Sequence, residues 1–485
     1  MLQRFTLPAQ GVTAPAWYAF RAPVIAAGFA ALAVVLVAVT LRQPLYGIAT
    51  LYGAAVMTIA WRRPDVSLML IFASAALASD VSQGALAKFS IAEVNLLLTL
   101  PAFYFRGLVQ KRLPTIGPIA LPVAFYLGVC LYSSSVHWRG EDALISLIQM
   151  GVYLVFVAAL FASFVRKAED LLRCLFGLVI AGVVVACCAL ATNFTFLDQN
   201  KNGLGDLIAS ALQVAVILLL ATEAGNHRRK YLLAAALIVL TAGLVLSLSR
   251  GSWLGALFGL IMVFALRREF RALLRLFLVL GPIVLVCWFS LPQDLQAYST
   301  GFGRDRYNIN ARYESVDLAE RYFVQSPVYG AGVGLRKEYD ATNTPLMILA
   351  ETGVLGLFGF LLIHAAFYRM VWVTQKRLPV QHPLHPLLCV GAALLIARFM
   401  HGLVDHYWTR GVLMTSWAAV GMTTAACLAV LRRGALDAPG ALDAPSASDA
   451  PGASDAPGTS DAPGASDVPF PQQVEAVPEG PSPAA

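Results

Sequence analysis

Apolar residues dominate this chain in runs of about 15 to 25 residues that short polar connections separate. A run of that length lets an α-helix cross a hydrocarbon core of about 30 Å. The pattern therefore predicts an all-α polytopic membrane protein with about 12–14 transmembrane helices and one long outer loop. The runs lie at 23–40, 44–60, 66–79, 91–106, 116–135, 142–164, 171–194, 204–222, 230–248, 252–266, 273–290, 346–370, 385–404 and 412–431.

Composition excludes an ordinary soluble protein. The chain is 58% hydrophobic and 13% charged, whereas roughly a quarter of the residues in soluble domains are charged. The net charge of +7 comes mostly from lysines and arginines in every second connection, such as Arg62 with Arg63 and Arg228 to Lys230. By the positive-inside rule, this bias predicts that both termini face the cytoplasm. The excess charge is thus topological, and no nucleic-acid partner is expected.

Cysteines and the N-terminus add two expectations. All seven cysteines lie inside or at the edge of apolar runs, so neither a disulfide framework nor a zinc site is predicted. The N-terminus has no small-residue cleavage site after a short apolar core, so no removable signal peptide is expected.

The segment Phe289 to Thr344 is the one long polar stretch between apolar runs. The predicted topology places it outside, which in a Gram-negative bacterium would be the periplasm. Ala311 to Gln325 has the period of an amphipathic helix, with Arg312 in its first turn. The dipeptide Ser326-Pro327 would end this helix. Its apolar face would consist of Val316, Ala319 and Phe323.

A glycine turn follows the predicted loop helix, at Tyr329 to Gly334. Glycines allow a close backbone approach, so we expect the turn to contact a ligand. It is not a dinucleotide-binding fingerprint, because no strand precedes it.

Five regions divide the chain: a cytoplasmic N-terminus (1–22), transmembrane helices that include the Arg250 turn (23–290), the periplasmic loop (291–345), C-terminal transmembrane helices (346–431) and a cytoplasmic tail (432–485). The tail repeats a six-residue unit from Ala435 to Phe470 without a periodic apolar face. Such a segment cannot bury enough surface to offset its conformational entropy, so we expect it to be disordered.

The polar groups on the outer side suit an anion better than a metal. Arginine predominates over histidine there, and no His/Glu cluster has metal-ligand spacing. A guanidinium offers forked donors that match a diphosphate. Arg250 is the strongest candidate for binding such an anion, because Ser247 and Ser249 make its short turn polar. The alternative is an interfacial arginine that reaches lipid headgroups beside Trp253.

Other polar residues allow two interpretations each. Arg398 and His401 lie inside a predicted span, where ionisable groups either pair with each other or line a substrate cavity. Asp206 is either a helix cap or a ligand. The cluster Met400 to Arg410 either contacts substrate or is an interfacial belt with Asp405 paired to Arg410. His137 and Arg139 are interpreted as ordinary loop residues.

Four short sequence motifs occur along the chain in a characteristic order. They are Asp198 to Asn200, Ser247 to Leu254, Arg312 with the later Pro327 to Gly332, and Asn343 to Gly356. In this order and at these positions relative to the spans, they resemble the O-antigen ligase and polymerase family of bacterial inner-membrane glycosyltransferases.

The resemblance implies a GT-C-like membrane fold and a metal-independent, inverting glycosyltransferase without a cofactor. The donor would be a glycan on undecaprenyl diphosphate. The family's Arg-x-x-x-Leu pattern falls on Arg250 and Leu254. The loop arginine falls on Arg312, and both arginines would bind the diphosphate. The substrate-binding candidates are Arg250, Arg312, Asn200, Arg304, Arg306, Arg321, Asn343, Arg398, His401 and Arg410.

One family feature is missing. Where the family has a histidine, this chain has Thr342, and threonine cannot act as a general base near neutral pH. Another group could substitute, or the arginines could do most of the work by stabilising the leaving group, or the transfer reaction could be lost. The candidate catalytic residues are therefore Arg250, Arg312, Asp340, Glu351 and His406.

The expected partners are the lipid-linked donor, the membrane lipids and a glycan acceptor. An acceptor in the lipid A core would make the protein a ligase of lipopolysaccharide biosynthesis, and a growing chain would make it an O-antigen or exopolysaccharide polymerase. A protein side chain is a third option. A transporter of a lipid-linked or anionic substrate is the alternative from another class; intramembrane Arg398 and His401 suit it, and the large outer loop does not.

Overall fold

The structure is a computed structural model of the 485-residue chain. It describes residues 44–74, 91–109, 114–164, 168–192, 201–300, 306–335, 343–404 and 411–436. The predicted span 23–40 and the repeat tail beyond residue 436 lie outside these residues. The chain divides into two units, Met1–Gly434 and Ala435–Ala485, and the description below concerns the first.

Helices and turns, without a strand, make up the described residues. The helices are α1 (Pro44–Arg62), α2 (Pro64–Ala73), α3 (Ile91–Val109), α4 (Ala120–Val136), α5 (Gly140–Gly151), α6 (Ala168–Ala191), α7 (Lys201–Leu220), α8 (His227–Leu246), α9 (Arg250–Arg267), α10 (Phe270–Ser290), α11 (Gln293–Thr300), α12 (Arg306–Gln325), α13 (Thr344–Gln375), α14 (His385–Gly402) and α15 (Gly411–Leu436). Helix α5 continues through π-helical segments at Val152–Val157 and Leu160–Phe164.

Ten helical segments in the described part of the chain are long and apolar enough to cross a membrane. They extend from Gly117–Val136, which includes α4, to Leu413–Leu431 in α15, and each coincides with a predicted span. The all-α polytopic class is thereby confirmed. Helix α2 starts the predicted run 66–79, but its ten residues cover only about 15 Å, half of a hydrocarbon core.

Local sequence explains where several helices begin. Asn226 caps α8 by accepting a hydrogen bond from Arg229 N, and Ser249 caps α9 by accepting one from Ser252 N. Asn343 caps α13 in the same way, with Pro345 in the first turn. Asparagine and serine are favoured at such positions because their side chains satisfy a backbone N–H that has no helical partner.

Glycines bring α9 close to its neighbours. Gly251, Gly255 and Gly259 recur at every fourth residue and share one face of α9. A methyl group added at Gly255 would lie 2.9 Å from the Ala397 carbonyl oxygen of α14. One added at Gly259 would overlap the Gln213 side chain of α7. Small residues at this spacing are a common basis of helix packing in membranes, where close van der Waals contact replaces the hydrophobic effect. Helices α7 and α14 are consequently the most enclosed of the ten, and α10 is the most exposed.

The loop helix α12 differs from the prediction in its start and in its buried face. It begins at Arg306 instead of Ala311, so Arg312 lies in its second turn. Ser315 and Ala319 are buried, and Tyr322 packs beside them, whereas Val316 is exposed. The predicted face was right for Ala319 and for half-buried Phe323 and wrong for Val316, because the prediction counted apolar residues alone. The face that packs on α13 needs small side chains, since Ala319 lies against Met347 and Ala350.

Candidate functional site

Arg250 stands at the start of α9, after a turn that the end of α8 forms. Ser247 Oγ donates a hydrogen bond to the Leu244 carbonyl oxygen at 2.7 Å, and the Oγ atoms of Ser249 and Ser252 lie 2.8 Å apart. All three serines are buried, and Arg250 itself is half-buried. The arginine therefore emerges from a rigid polar turn, and it sits at the positive end of the α9 dipole.

A buried ion cluster lies behind this turn. Arg398 Nη2 of α14 donates to Asp206 Oδ2 of α7 at 2.5 Å, and His401 Nδ1 lies 3.0 Å from Asp206 Oδ1. Arg398 Nε also donates to Ser416 Oγ of α15 at 3.5 Å. Asp206 is the sixth residue of α7 and does not cap it. Arg398 and His401 thus each pair with Asp206, and their role in binding substrate stays a prediction.

Helix α13 begins against the end of α14. Asn343 Oδ1 accepts a hydrogen bond from Leu346 N at 3.0 Å, and Asn343 Nδ2 donates to the Leu403 carbonyl oxygen at 2.8 Å. A methyl group added at Gly402 would lie 2.8 Å from Thr344 Oγ1. Asn343 and Thr344 thus lie beside the end of α14. Leu403, which accepts the hydrogen bond from Asn343, is two residues after His401.

The glycine turn docks through its own backbone N–H groups. Gly334 N donates to Glu351 Oε1 of α13 at 2.8 Å, and Gly332 N donates to the Glu351 carbonyl oxygen at 3.1 Å. Ser133 Oγ of α4 donates to that same carbonyl oxygen at 2.7 Å. The close approach that the glycines permit is therefore to α13, to His137 at the end of α4 and to Asp142 at the start of α5. Glu351, a catalytic candidate, is buried beneath the turn.

Gly353 breaks α13 so that this docking can occur. Its φ of 65° and ψ of −165° lie in a region that is essentially restricted to glycine. The break frees two N–H groups for the turn: Val354 N donates to the Pro327 carbonyl oxygen at 2.9 Å, and Leu355 N donates to that of Val328 at 3.2 Å. The Pro-Val-Tyr-Gly motif and the Glu-Thr-Gly motif thus recognise each other through their backbones.

His137 and Arg139, between α4 and α5, hold the loop from the other side. Arg139 Nε donates to the Ala331 carbonyl oxygen at 2.9 Å, and its guanidinium carbon lies 5.2 Å from the centre of the Tyr322 ring. The His137 ring stacks on the Tyr329 ring, with 6.1 Å between the two ring centres. Sequence reasoning missed these roles, because no local pattern marks a cation that will stack on a distant tyrosine.

The structure places the remaining candidates as follows. Arg321 is exposed on α12, Arg306 is the first residue of that helix, and Asn343 caps α13. Among the described residues, no group of three or more histidine, cysteine and acidic residues could hold a metal ion. Asn200, Arg304, Asp340, Thr342, Asp405, His406 and Arg410 lie outside the described residues.

Fold and site together define a helical membrane protein with a polar, arginine-bearing site at the end of the bundle where α9 and α13 begin. The family model described as O-Antigen ligase matches residues 235–361. These residues include the end of α8, the Arg250 turn, the loop helix and the kink of α13. This match spans about a quarter of the chain and supports the resemblance to the O-antigen ligase/polymerase family. No curated protein matches the chain.

Proposed function

We propose that the protein transfers a glycan from undecaprenyl diphosphate to an acceptor hydroxyl at the Arg250 end of the bundle. The match to the O-antigen ligase model supports glycosyl transfer in general. The observation that carries the proposal is the half-buried Arg250 at the start of α9, backed by three buried serines. This arrangement presents a permanent positive charge and the positive end of a helix dipole to one small volume, and a diphosphate suits both.

In the proposed reaction, the acceptor oxygen attacks the anomeric carbon of the donor sugar from the face opposite the diphosphate. The bond from that carbon to the phosphate oxygen breaks, and its electron pair leaves with the diphosphate. Arg250, with Arg312 from α12, stabilises the negative charge that develops there. The acceptor proton passes to a base, and the anomeric centre is inverted.

The base is proposed to come from the segments that flank the Asn343–Leu403 hydrogen bond. Asp340 precedes Asn343 by three residues and His406 follows Leu403 by three. Glu351, the third candidate, already accepts the Gly334 N–H, which gives it a role in holding the glycine turn. Asn200, Arg304, Arg306, Arg321 and Arg410 stay predictions as groups that bind the glycan or its lipid carrier.

The proposed location is the bacterial inner membrane, with both termini in the cytoplasm and the loop in the periplasm. The acceptor would be the lipid A core in a ligase or a growing glycan chain in a polymerase. No nucleotide is needed, because the donor's phosphoester bond supplies the free energy.

The test uses a deletion strain complemented with wild type, Arg250→Ala, Arg250→Lys or Arg312→Ala. Loss of one preorganised charge in the transition state lowers turnover about 10²–10³-fold, so both alanine variants should make no visible surface glycan. Arg250→Lys should retain part of it, because lysine keeps the charge and loses the fork. Arg173→Ala is the matched control, since Arg173 is an exposed arginine on α6 that pairs only loosely with Glu169 at 3.5 Å.

Gel analysis of the surface polysaccharide also separates the acceptors. A ligase deletion leaves long glycan on its lipid carrier and none on the lipid A core, whereas a polymerase deletion leaves single repeat units. Wild-type glycan from Arg250→Ala, at normal protein level in the membrane, would refute the diphosphate assignment.

A further inference from the structure

We infer that Asp206, Arg398 and His401 form a positioning unit that holds the Arg250 turn in its binding geometry. This inference rests on the proposed function of Arg250. We name these three residues the ion triad. None of them lies in the matched segment 235–361, and two of them were predicted to touch substrate.

Burial decides against direct contact with substrate in this structure. Arg398 is 2% exposed and His401 is 0% exposed, and Asp206 is buried between them. Ionisable groups inside a membrane are costly, and they persist where they pair with each other or serve a site. Because the ion triad is closed off by protein, its effect on a donor has to pass through the residues that it touches.

The Arg250 turn is contacted on two sides, by His401 of the ion triad and by Gly205, the neighbour of Asp206. The Cδ2–Nε2 edge of the His401 ring lies against Gly251, where an added methyl group would be 2.6 Å from Nε2. On α7, Gly205 directly precedes Asp206. A methyl group added there would lie 2.9 Å from the Oγ atoms of both Ser247 and Ser252. The hydrogen bonds of Asp206 to α14 hold α7 and α14 together. Gly205 of α7 and His401 of α14 therefore both lie against the turn that contains Ser249, Arg250 and Gly251.

The turn needs such support because it is strained. Leu248 has a φ of 55°, in the left-handed region that bulky residues rarely adopt. A residue stays in such a conformation only where the surrounding structure determines it. The contacts from Gly205 and His401 supply that surrounding structure from α7 and α14, and the ion triad joins these two helices.

The end of α14 also determines the position of the segment that follows Thr342. Leu403, two residues beyond His401, accepts the hydrogen bond from Asn343 Nδ2 that holds the start of α13. The ion triad thus aligns the donor-binding turn with the segment where the acceptor base is proposed. A shift of α14 against α7 would move both.

The test measures binding of undecaprenyl diphosphate to the purified full-length protein in nanodiscs, on the monodisperse fraction of each variant. Undecaprenyl monophosphate serves as the control ligand. His401→Asn keeps a side-chain N–H that can reach Asp206, and His401→Phe keeps the ring volume without that donor. Gly251→Ala replaces no residue of the ion triad and forces a methyl group against the His401 ring. His385→Phe is the matched control, because His385 is equally buried in α14 about 24 Å along the helix.

We expect His401→Phe and Gly251→Ala to weaken diphosphate binding about tenfold or more, since misplacement by about 1 Å can have effects of that order. Glycan formation should fall with it. His401→Asn should retain most of the affinity, and His385→Phe should bind like wild type. Wild-type affinity in either His401→Phe or Gly251→Ala would overturn the inference, and Gly251→Ala decides alone if His401→Phe yields no folded protein.

Arg250→Ala in the same series separates this inference from the proposed function. If Arg250→Ala binds the diphosphate like wild type, the proposed function itself is wrong. If Arg250→Ala loses binding while His401→Phe and Gly251→Ala retain it, only the positioning role is wrong.

Discussion

Leu248 shows how much a single backbone angle contributes to the candidate site. Its φ of 55° places a buried leucine in a conformation that costs an L-residue roughly 1–2 kcal/mol. The next two residues are the cap of α9 and Arg250, so the unusual angle directs the chain from α8 back into α9 within three residues. The arginine is held near the bundle instead of being carried out on a longer loop.

The positive φ of Leu248 leads to a prediction about stability. Leu248→Gly and Leu248→Ala both remove the buried side chain, but only glycine adopts a positive φ without strain. We therefore expect Leu248→Gly to be the more stable of the two by about 1 kcal/mol. At Leu244, inside α8, alanine should instead be more stable than glycine by about 1 kcal/mol. Thermal unfolding in detergent compares the two pairs, and an alanine preference at both positions would contradict the strained turn.

At the scale of elements, hydrogen bonds of the loop's backbone groups attach the loop to the helix bundle. The kink of α13 at Gly353 opens two N–H groups to the carbonyl oxygens of Pro327 and Val328, and Glu351 and Ser133 accept hydrogen bonds from the N–H groups of Gly332 and Gly334. Arg139 adds a hydrogen bond and a ring contact from the α4–α5 connection. These contacts determine where α12 lies, and α12 carries Arg312.

Gly353→Ala tests this attachment. The native φ and ψ of residue 353 are closed to alanine, and the added methyl group would overlap the Val328 backbone. We expect a loss of about 1–3 kcal/mol from the backbone conformation alone, with faster proteolysis between α12 and α13. Gly281→Ala in α10 is the control: a methyl group there meets nothing within 4 Å, so its stability should be unchanged or higher. Equal protease resistance in both variants would mean that the loop does not depend on the kink.

For the whole molecule, orientation in the membrane decides on which side the proposed reaction takes place. The lysine and arginine bias predicts that the loop and the Arg250 end face the periplasm, which is where the proposed donor would be presented. Glu320 on α12 and Glu223 between α7 and α8 are both exposed, and the predicted topology puts them on opposite sides of the membrane.

We predict that a membrane-impermeant thiol reagent labels Glu320→Cys in intact spheroplasts and labels Glu223→Cys only after lysis. The unsubstituted protein, with its seven cysteines, provides the baseline. The reverse labelling pattern would place the Arg250 end in the cytoplasm and exclude a periplasmic transfer reaction.

The sequence by itself determined the class of protein and most of the spans, and it singled out the Arg250 turn as a candidate site. Hydrophobic run length decides whether a segment can cross a membrane, and caps such as Ser249 and Asn343 mark helix starts through contacts within a few residues. These are local properties, so one sequence suffices to recognise them. The glycine spacing along α9 was a further local signal, although its partners were not evident.

Tertiary structure alone decided which distant groups meet. Asp206 pairs with Arg398 and His401 across 192 and 195 residues, and Ser133 meets Glu351 across 218. Each residue type was visible in the sequence, yet Asp206 was assigned no partner and Val316 was placed on the wrong face of α12. The physical reason is that pairing depends on which helix faces pack together, and that choice follows from close steric fit across the bundle, such as Gly251 against His401, and not from the order of residues along any one helix.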